Sequence, residues 1–357
     1  MSVDTRAGTT KGLAVGGLGL RLRWRTILVV GCAAALLLLA VAAHIGLGSY
    51  RIPLGEVFEV LLGGGAESQR GAVLDVRLPR ALVGVLVGAA LGLAGALFQS
   101  ISRNPLASPD VLGITWGASV GAVTVIAFAG SYGQLSGFAD GVGVPLASLL
   151  GGLLAGLALY GLSWRRGIDG YRMVLIGIGI AAVGANLVFW LLTVGDVQVA
   201  ARAMTWLTGS LAAAGWGDVP AVALAVGVLA PLTLFGARVL GVLRFGEDTA
   251  RGLGVRVNLS RTVLLLLAVL LAAVATAAAG PIGFVALAAP QIALRLCAVA
   301  GPPLGASMVL GATLTVCADL AARTLPGVEL PVGVYTAVLG APYLMFLLIR
   351  SRREARV

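Results

Sequence analysis

An all-α polytopic membrane protein of about ten transmembrane helices, with both termini on the cytoplasmic side, is the fold this sequence predicts. Three observations carry that reading. Of the 357 residues, 59% are apolar and only 11% are charged, against roughly 25% charged in soluble domains. Ten apolar segments each come close to the ~20 residues a helix needs to cross a hydrocarbon core. Of the 25 basic residues, only Arg51, Arg70, Arg77, Arg80, Arg202 and Arg323 fall on one side of those segments. The rest crowd the other side, as cytoplasmic loops do.

The first segment, 27–47, follows Arg21, Arg23 and Arg25. A cleaved signal peptide is the lesser reading, because the run is longer than the usual apolar stretch of about 7–15 residues. Residues 52–62 place Leu54, Val57, Phe58, Leu61 and Leu62 at helical spacing, with Glu56 and Glu59 opposite. Pro53 opens this stretch as a short helix lying on the outer interface. The further spans run over 81–100, 112–130, 145–163, 173–195, 217–237, 262–280, 282–299, 304–321 and 330–349. Pro281, Gly283 and Pro290 interrupt the eighth of the ten, so it reads equally as a broken or partly re-entrant helix. The chain is therefore one transmembrane domain over 27–349. A cytoplasmic segment, 1–26, precedes it, a basic tail, 350–357, follows, and its longest cytoplasmic loop is 238–261, where Glu247 to Leu253 can form a short helix ended by Gly254.

Much chemistry is excluded. A phosphate-binding loop needs the pattern GxxxxGK[ST]; none occurs, and Lys11 is the only lysine. No nucleophile elbow, HExxH pair or pair of carboxylates at one depth is present. Cys32, Cys297 and Cys317 stand singly in apolar runs, and His44 is the only histidine, so no catalytic residue, metal site or cofactor is expected. The net charge of +10 is spread over the loops, which argues for topology and against nucleic-acid binding. Ion-coupled transporters hold ionisable groups inside the membrane. Here only Asp319 lies well within a span, and pairing with Arg323 at i+4 is as good a reading as a proton relay.

The most distinctive stretch begins at Arg77, Leu78, Pro79 and Arg80 and continues with a stripe of Gly84, Gly88, Gly92 and Gly95. After Gln99 come Arg103, Asn104, Pro105, Leu106, Ala107 and Pro109, and then Gly113, Gly117 and Ala118. Later come Trp206 to Leu211, Gly246 to Val255, Gly280 to Val285, Gly311, Asp319, Arg323, Glu329 to Gly333, and Gly340 to Pro342. In this order and spacing the chain resembles the FecCD-type permeases, subunits of ABC importers for iron–siderophore complexes, haem and vitamin B12. The resemblance covers about residues 50–350. It departs at Gln291, where the family usually has His, so no pH-sensitive role is implied there.

The resemblance implies a type II importer permease in the cell membrane, translocating an iron–siderophore, with haem or vitamin B12 as the alternative cargo. It implies no ATPase site of its own, and as partners separate ABC ATPase subunits, a substrate-binding protein or lipoprotein, and a second permease chain, identical or paralogous. Arg77, Arg80 and Arg323 match positions that receive acidic residues of the binding protein. Gly246, Glu247, Asp248, Ala250, Arg251, Leu253 and Gly254 match the segment that couples to the ATPase. Asn104, Leu106, Asp169 and Gly170 match the inner end of the translocation path. Two other classes stay open: a gradient-driven secondary transporter, which would work without nucleotide, and a non-transport scaffold, which would tolerate changes at Asn104 and Leu106.

Overall fold

The computed structural model describes residues 12–15, 18–21, 24–48, 51–129, 142–165, 167, 169–324 and 330–354. Glu329, the start of one motif quoted above, lies outside them, as do 355–357 of the tail. Among the described residues the structure is helical except for one antiparallel ribbon pairing Gly12–Val15 with Leu18–Arg21. Ten helices coincide with the ten expected spans: α1 (Trp24–Gly46), α4 (Leu78–Ser102), α5 (Ile114–Ala129), α6 (Val144–Ser163), α7 (Gly170–Val194), α9 (Asp218–Leu243), α11 (Val257–Ala279), α12 (Val285–Cys297), α13 (Leu304–Thr324) and α14 (Val332–Glu354). Short helices connect them: α2 (Leu54–Leu61), α3 (Glu67–Arg70), α8 (Val197–Leu207) and α10 (Glu247–Gly252).

Helix α4 is the axis. It is buried along nearly its whole length and packs against α9, α11, α12 and α13. Apolar side chains gain little by leaving lipid, so close van der Waals packing between helices has to hold such a bundle together. The stripe of small residues serves this purpose. A methyl group at Gly92 would overlap the Ser307 carbonyl, and one at Gly95 the Ala286 carbonyl. By contrast α1, α6, α7 and α9 expose large apolar side chains such as Leu38, Leu154, Trp190 and Phe235 to the lipid.

The short outer helix also forms, with Pro53 at its N-cap. Its inward face is narrower than the spacing predicts. Val57 and Val60 are buried against Ile45, Ile52 and Val73, whereas Leu54, Phe58, Leu61 and Leu62 are exposed.

The interrupted span resolves into two parts. Helix α11 ends at Ala279, and Gly280 and Phe284, both with positive φ, carry the chain through an extended turn into α12. Pro290 sits inside α12 without ending it. At 13 residues, α12 rises only ~20 Å, less than the ~30 Å of a hydrocarbon core. The last carbonyl of α11 is met from another segment: Ser210 N–H donates to Ala279 O at 2.8 Å.

Gly95→Val should lower the stability of the purified permease by about 1–3 kcal/mol or more, as overpacking does. Gly31→Ala, with no atom within 4 Å of the new methyl, should be neutral or stabilising by up to about 1 kcal/mol. Thermal unfolding in detergent checks both.

Candidate functional site

Three helix ends meet on the outer side: the C-terminus of α1, the N-terminus of α4 and the C-terminus of α13. A helix C-terminus leaves its last four carbonyls without intrahelical partners, and at a membrane boundary those groups must be met by protein. Arginines meet them here. Arg77 Nη1 donates to the carbonyls of Ile45, at 2.7 Å, and Gly46, at 3.3 Å. Arg323 Nη2 donates to the carbonyls of Leu47, at 2.9 Å, and His44.

Arg80 instead forks onto Asp319, Nε to Oδ2 at 2.8 Å and Nη2 to Oδ1 at 2.7 Å, the two-point geometry that guanidinium and carboxylate share. His44 Nε2 lies 2.7 Å from the same Oδ2. The local pairing of Asp319 with Arg323 is thus not what forms. Arg323 reaches the end of α1, and Asp319 takes its partners from α4 and α1, 239 and 275 residues away.

The three arginines matched to docking positions therefore share one corner, with Arg77 buried and Arg80 and Arg323 half-buried. The other three outer arginines, Arg51, Arg70 and Arg202, are exposed.

On the inner side the structure brings together the residues matched to the end of the path. Arg103 adopts the left-handed conformation and ends α4. Asn104 Oδ1 then accepts from Leu106 N–H at 2.9 Å, and Asn104 N–H donates to Ser102 Oγ at 3.2 Å. This local turn releases the chain from the helix ahead of Pro105. Asp169 caps α7 by accepting from Arg172 N–H at 2.9 Å. Gly170 lies so close to Ser102 that a Cβ would overlap the Ser102 carbonyl. The start of α7 and the end of α4 are thus wedged against each other.

The cytoplasmic helix α10 is built for rigidity. Gly246, at φ 104°, opens it, and Gly254, at φ 79°, closes it. Val255 N–H donates to Ala250 O at 3.0 Å and Gly254 N–H to Arg251 O at 2.9 Å, the paired bonds of a Schellman cap. Ala250 is buried, while Leu253 is 65% and Phe245 76% exposed. Glu247 pairs with Arg251 at 3.1 Å and with Arg261 of α11, which fastens the short helix to a spanning one.

Three buried contacts lie beyond what the sequence reading singled out. His44 supports Asp319. Gln99 and Gln291 join side chain to side chain at 2.7 Å, and Gln99 also donates to Leu287 O at 3.1 Å; an amide at 291 pairs well with Gln99, which accounts for tolerance of Gln there. Asp110, between α4 and α5, accepts from the Thr115 hydroxyl at 2.8 Å. Burial pushes the Asp110 carboxyl upward, and the Thr115 hydroxyl and the Phe284 backbone amide partly offset that push. Only Asp–x–x–x–x–Thr spacing could have hinted at this pair. Among the described residues no cluster of His, Cys, Asp or Glu suits a metal. A groove of about 860 Å³ between α5, α6 and α7 has an almost wholly apolar lining.

Asp319→Ala, which strands Arg80, should cost about 3–5 kcal/mol, whereas Arg80→Met with Asp319→Leu should cost less than that single change. A double-mutant cycle on denaturation in detergent measures the difference.

The ferric enterobactin transport system permease protein FepG of Escherichia coli (strain K12) is 40% identical over 309 residues, 86% of this chain and 91% of that one. The iron(3+)-hydroxamate import system permease protein FhuG of Bacillus subtilis (strain 168) is 36% identical over 334 residues, 92% of this chain and 98% of that one. A solved structure described as an inward-facing conformation of a metal-chelate type ABC transporter matches with a TM-score of 0.79 at 26% identity, covering 91% of this chain and 99% of that one. The FecCD transport family model matches residues 36–350, and with ten spans, an interrupted eighth span and a capped cytoplasmic helix in the expected places, the chain belongs to the FecCD transport family of ABC importer permeases.

Proposed function

We propose that this chain is the translocating subunit of an ATP-driven importer that carries an iron–siderophore across the cell membrane. The observation that carries the reading is α10, a short, doubly capped helix fastened to α11 by Glu247 and Arg261, with Leu253 and Phe245 exposed beside it. Exposed apolar side chains next to a rigid element mark a docking surface. The partner is an ABC ATPase, because the chain has no phosphate-binding loop with which to use ATP itself. The residues from Gly246 to Gly254 form the coupling surface, with Glu247, Asp248 and Arg251 as its polar rim.

Cargo follows from the relatives, whose names specify ferric enterobactin and iron(3+)-hydroxamate; this favours a ferric siderophore over haem or vitamin B12. Two permease chains enclose the path, each contributing an inner gate of Asn104, Leu106, Asp169 and Gly170, with Gly170 set against Ser102 at the end of α4. The binding protein, or lipoprotein, docks on the outer corner. There Arg77, Arg80 and Arg323 set the shape of the rim by holding α1, α4 and α13 together, while Arg51 and Arg202 supply exposed positive charge elsewhere on the outer face. Charges of this kind steer and orient an acidic partner more than they add affinity.

Proteoliposomes containing the permease dimer, its ATPase and its binding protein should accumulate a ferric siderophore only with ATP. Uptake without nucleotide would reject the importer reading in favour of a gradient-driven transporter. Leu253→Asp should abolish co-purification of the ATPase while leaving the permease folded. Arg51→Glu with Arg202→Glu should weaken association of the binding protein roughly 3- to 10-fold, more at low salt; unchanged binding by surface plasmon resonance would remove these two residues from the interface.

A further inference from the structure

A second polar feature lies on the cytoplasmic side, next to the turn at Asn104 and bordered by Phe245 ahead of α10. A cavity of about 670 Å³ opens between the inner ends of α4, α9 and α11. Four arginines line it: Arg103, Arg238, Arg244 and Arg261. Ser100 also lines it, and the rest of the wall is apolar, including Ile101, Leu240 and Val242.

Charge in this cavity is unbalanced. Arg103 gives one guanidinium nitrogen to the Leu243 carbonyl, at 2.9 Å, which satisfies a helix end and neutralises nothing. Arg261 is paired with Glu247, and that carboxylate is shared with Arg251. Asp248, the other acid of α10, is exposed and faces Arg251 at 3.5 Å. Arg238 and Arg244 have no acidic partner among the described residues, and the Arg244 guanidinium rests over Gly301, where a Cβ would strike it. Several cations held around one apolar-walled space repel each other unless an anion sits between them.

Depth selects the kind of anion. Arg238 lies five residues before the end of α9 and Arg261 four residues after the start of α11, so both sit ~6–8 Å inside their helix ends at 1.5 Å per residue. That matches the headgroup layer, which is ~5–8 Å thick on each side of the hydrocarbon core. Phe235, on the preceding turn of α9, is 79% exposed to lipid. A guanidinium matches a phosphate in two-point geometry, and basic pockets between spanning helices on the cytoplasmic side suit anionic headgroups.

We propose that this cavity binds the phosphate of an anionic phospholipid from the inner leaflet, with Arg238 and Arg244 as the principal ligands and Arg103 at its edge. The apolar wall takes the adjoining glycerol and upper acyl carbons. Because Arg261 also holds Glu247, the bound phosphate lies next to the joint between α10 and α11.

The test uses the purified full-length permease in a neutral detergent with three probes: dioctanoyl phosphatidylglycerol, dioctanoyl phosphatidylcholine and inorganic phosphate. Phosphatidylglycerol should bind and raise the melting temperature, phosphatidylcholine should bind at least tenfold more weakly, and inorganic phosphate should compete only at far higher concentration. Arg238→Gln with Arg244→Gln should weaken phosphatidylglycerol at least tenfold, and Arg238→Lys with Arg244→Lys should recover most of that loss. The exposed single change Arg238→Gln, expected to weaken it at least threefold, serves if the double variant does not fold. Equal binding of the two lipids, or undiminished phosphatidylglycerol binding by the glutamine variants, overturns the proposal. Inorganic phosphate binding as tightly as the lipid would make free phosphate the ligand and overturn the lipid assignment. Loss of ATPase association with lipid binding intact would make the cavity a protein contact, and equally overturn it.

Discussion

Lipid offers no hydrogen bonds, so every backbone group freed where a helix ends or breaks inside this molecule has to be met by the molecule itself. That constraint explains where the arginines point. The end of α1 has the carbonyls of His44, Ile45, Gly46 and Leu47 to satisfy, and Arg77 and Arg323 reach across from α4 and α13 to do so. A cation at a helix C-terminus also meets the negative end of the helix dipole. The same need shapes the break between α11 and α12, where Ser210 N–H closes onto the Ala279 carbonyl that α11 leaves free.

These ties account for a bundle whose helices differ in how firmly they are held. Helix α4 packs against α9, α11, α12 and α13, with its glycines set closely against α12 and α13. Helix α1 is mostly bare to lipid and is fastened at its outer end by the arginine corner and lower down by contact with α13, where Thr313 reaches the Ala33 carbonyl at 3.3 Å. Helix α10 is joined to α11 by Glu247 and Arg261, and α11 packs on α4. The buried centre and the cytoplasmic rim are thus joined by polar contacts, and polar contacts in low dielectric either hold firmly or cost heavily when broken.

The spans were legible because length and hydropathy are local properties, and the ends of all ten helices fall near the positions the apolar runs predict. Even the interruption near Pro281 was visible, since Gly and Pro announce it. The cytoplasmic helix and its closing glycine were also readable, as Gly254 sits where a Schellman cap needs positive φ. The partners of charged side chains were not. Asp319 and Arg323 stand at helical spacing, and nothing in the chain around them says that Arg80, 239 residues earlier, is the stronger partner. His44 looked like an isolated residue for the same reason. A two-point fork across packed helices depends on how α4 and α13 meet, which glycine spacing implies only in outline.

The six outer arginines therefore divide by burial rather than by motif. Positive charge on this side runs against the usual bias, and the motif residues among them serve a need that does not involve a partner: they close helix ends and neutralise Asp319. A docking role added to those residues must leave these bonds in place, because withdrawing Arg80 would strand a fully buried carboxylate, a loss larger than an exposed ion pair to a partner returns. Steering charge is more economically carried by exposed side chains such as Arg51 and Arg202, whose reorientation breaks nothing inside the fold. Bundle integrity and any docking charge can thus share the outer face while resting on different residues.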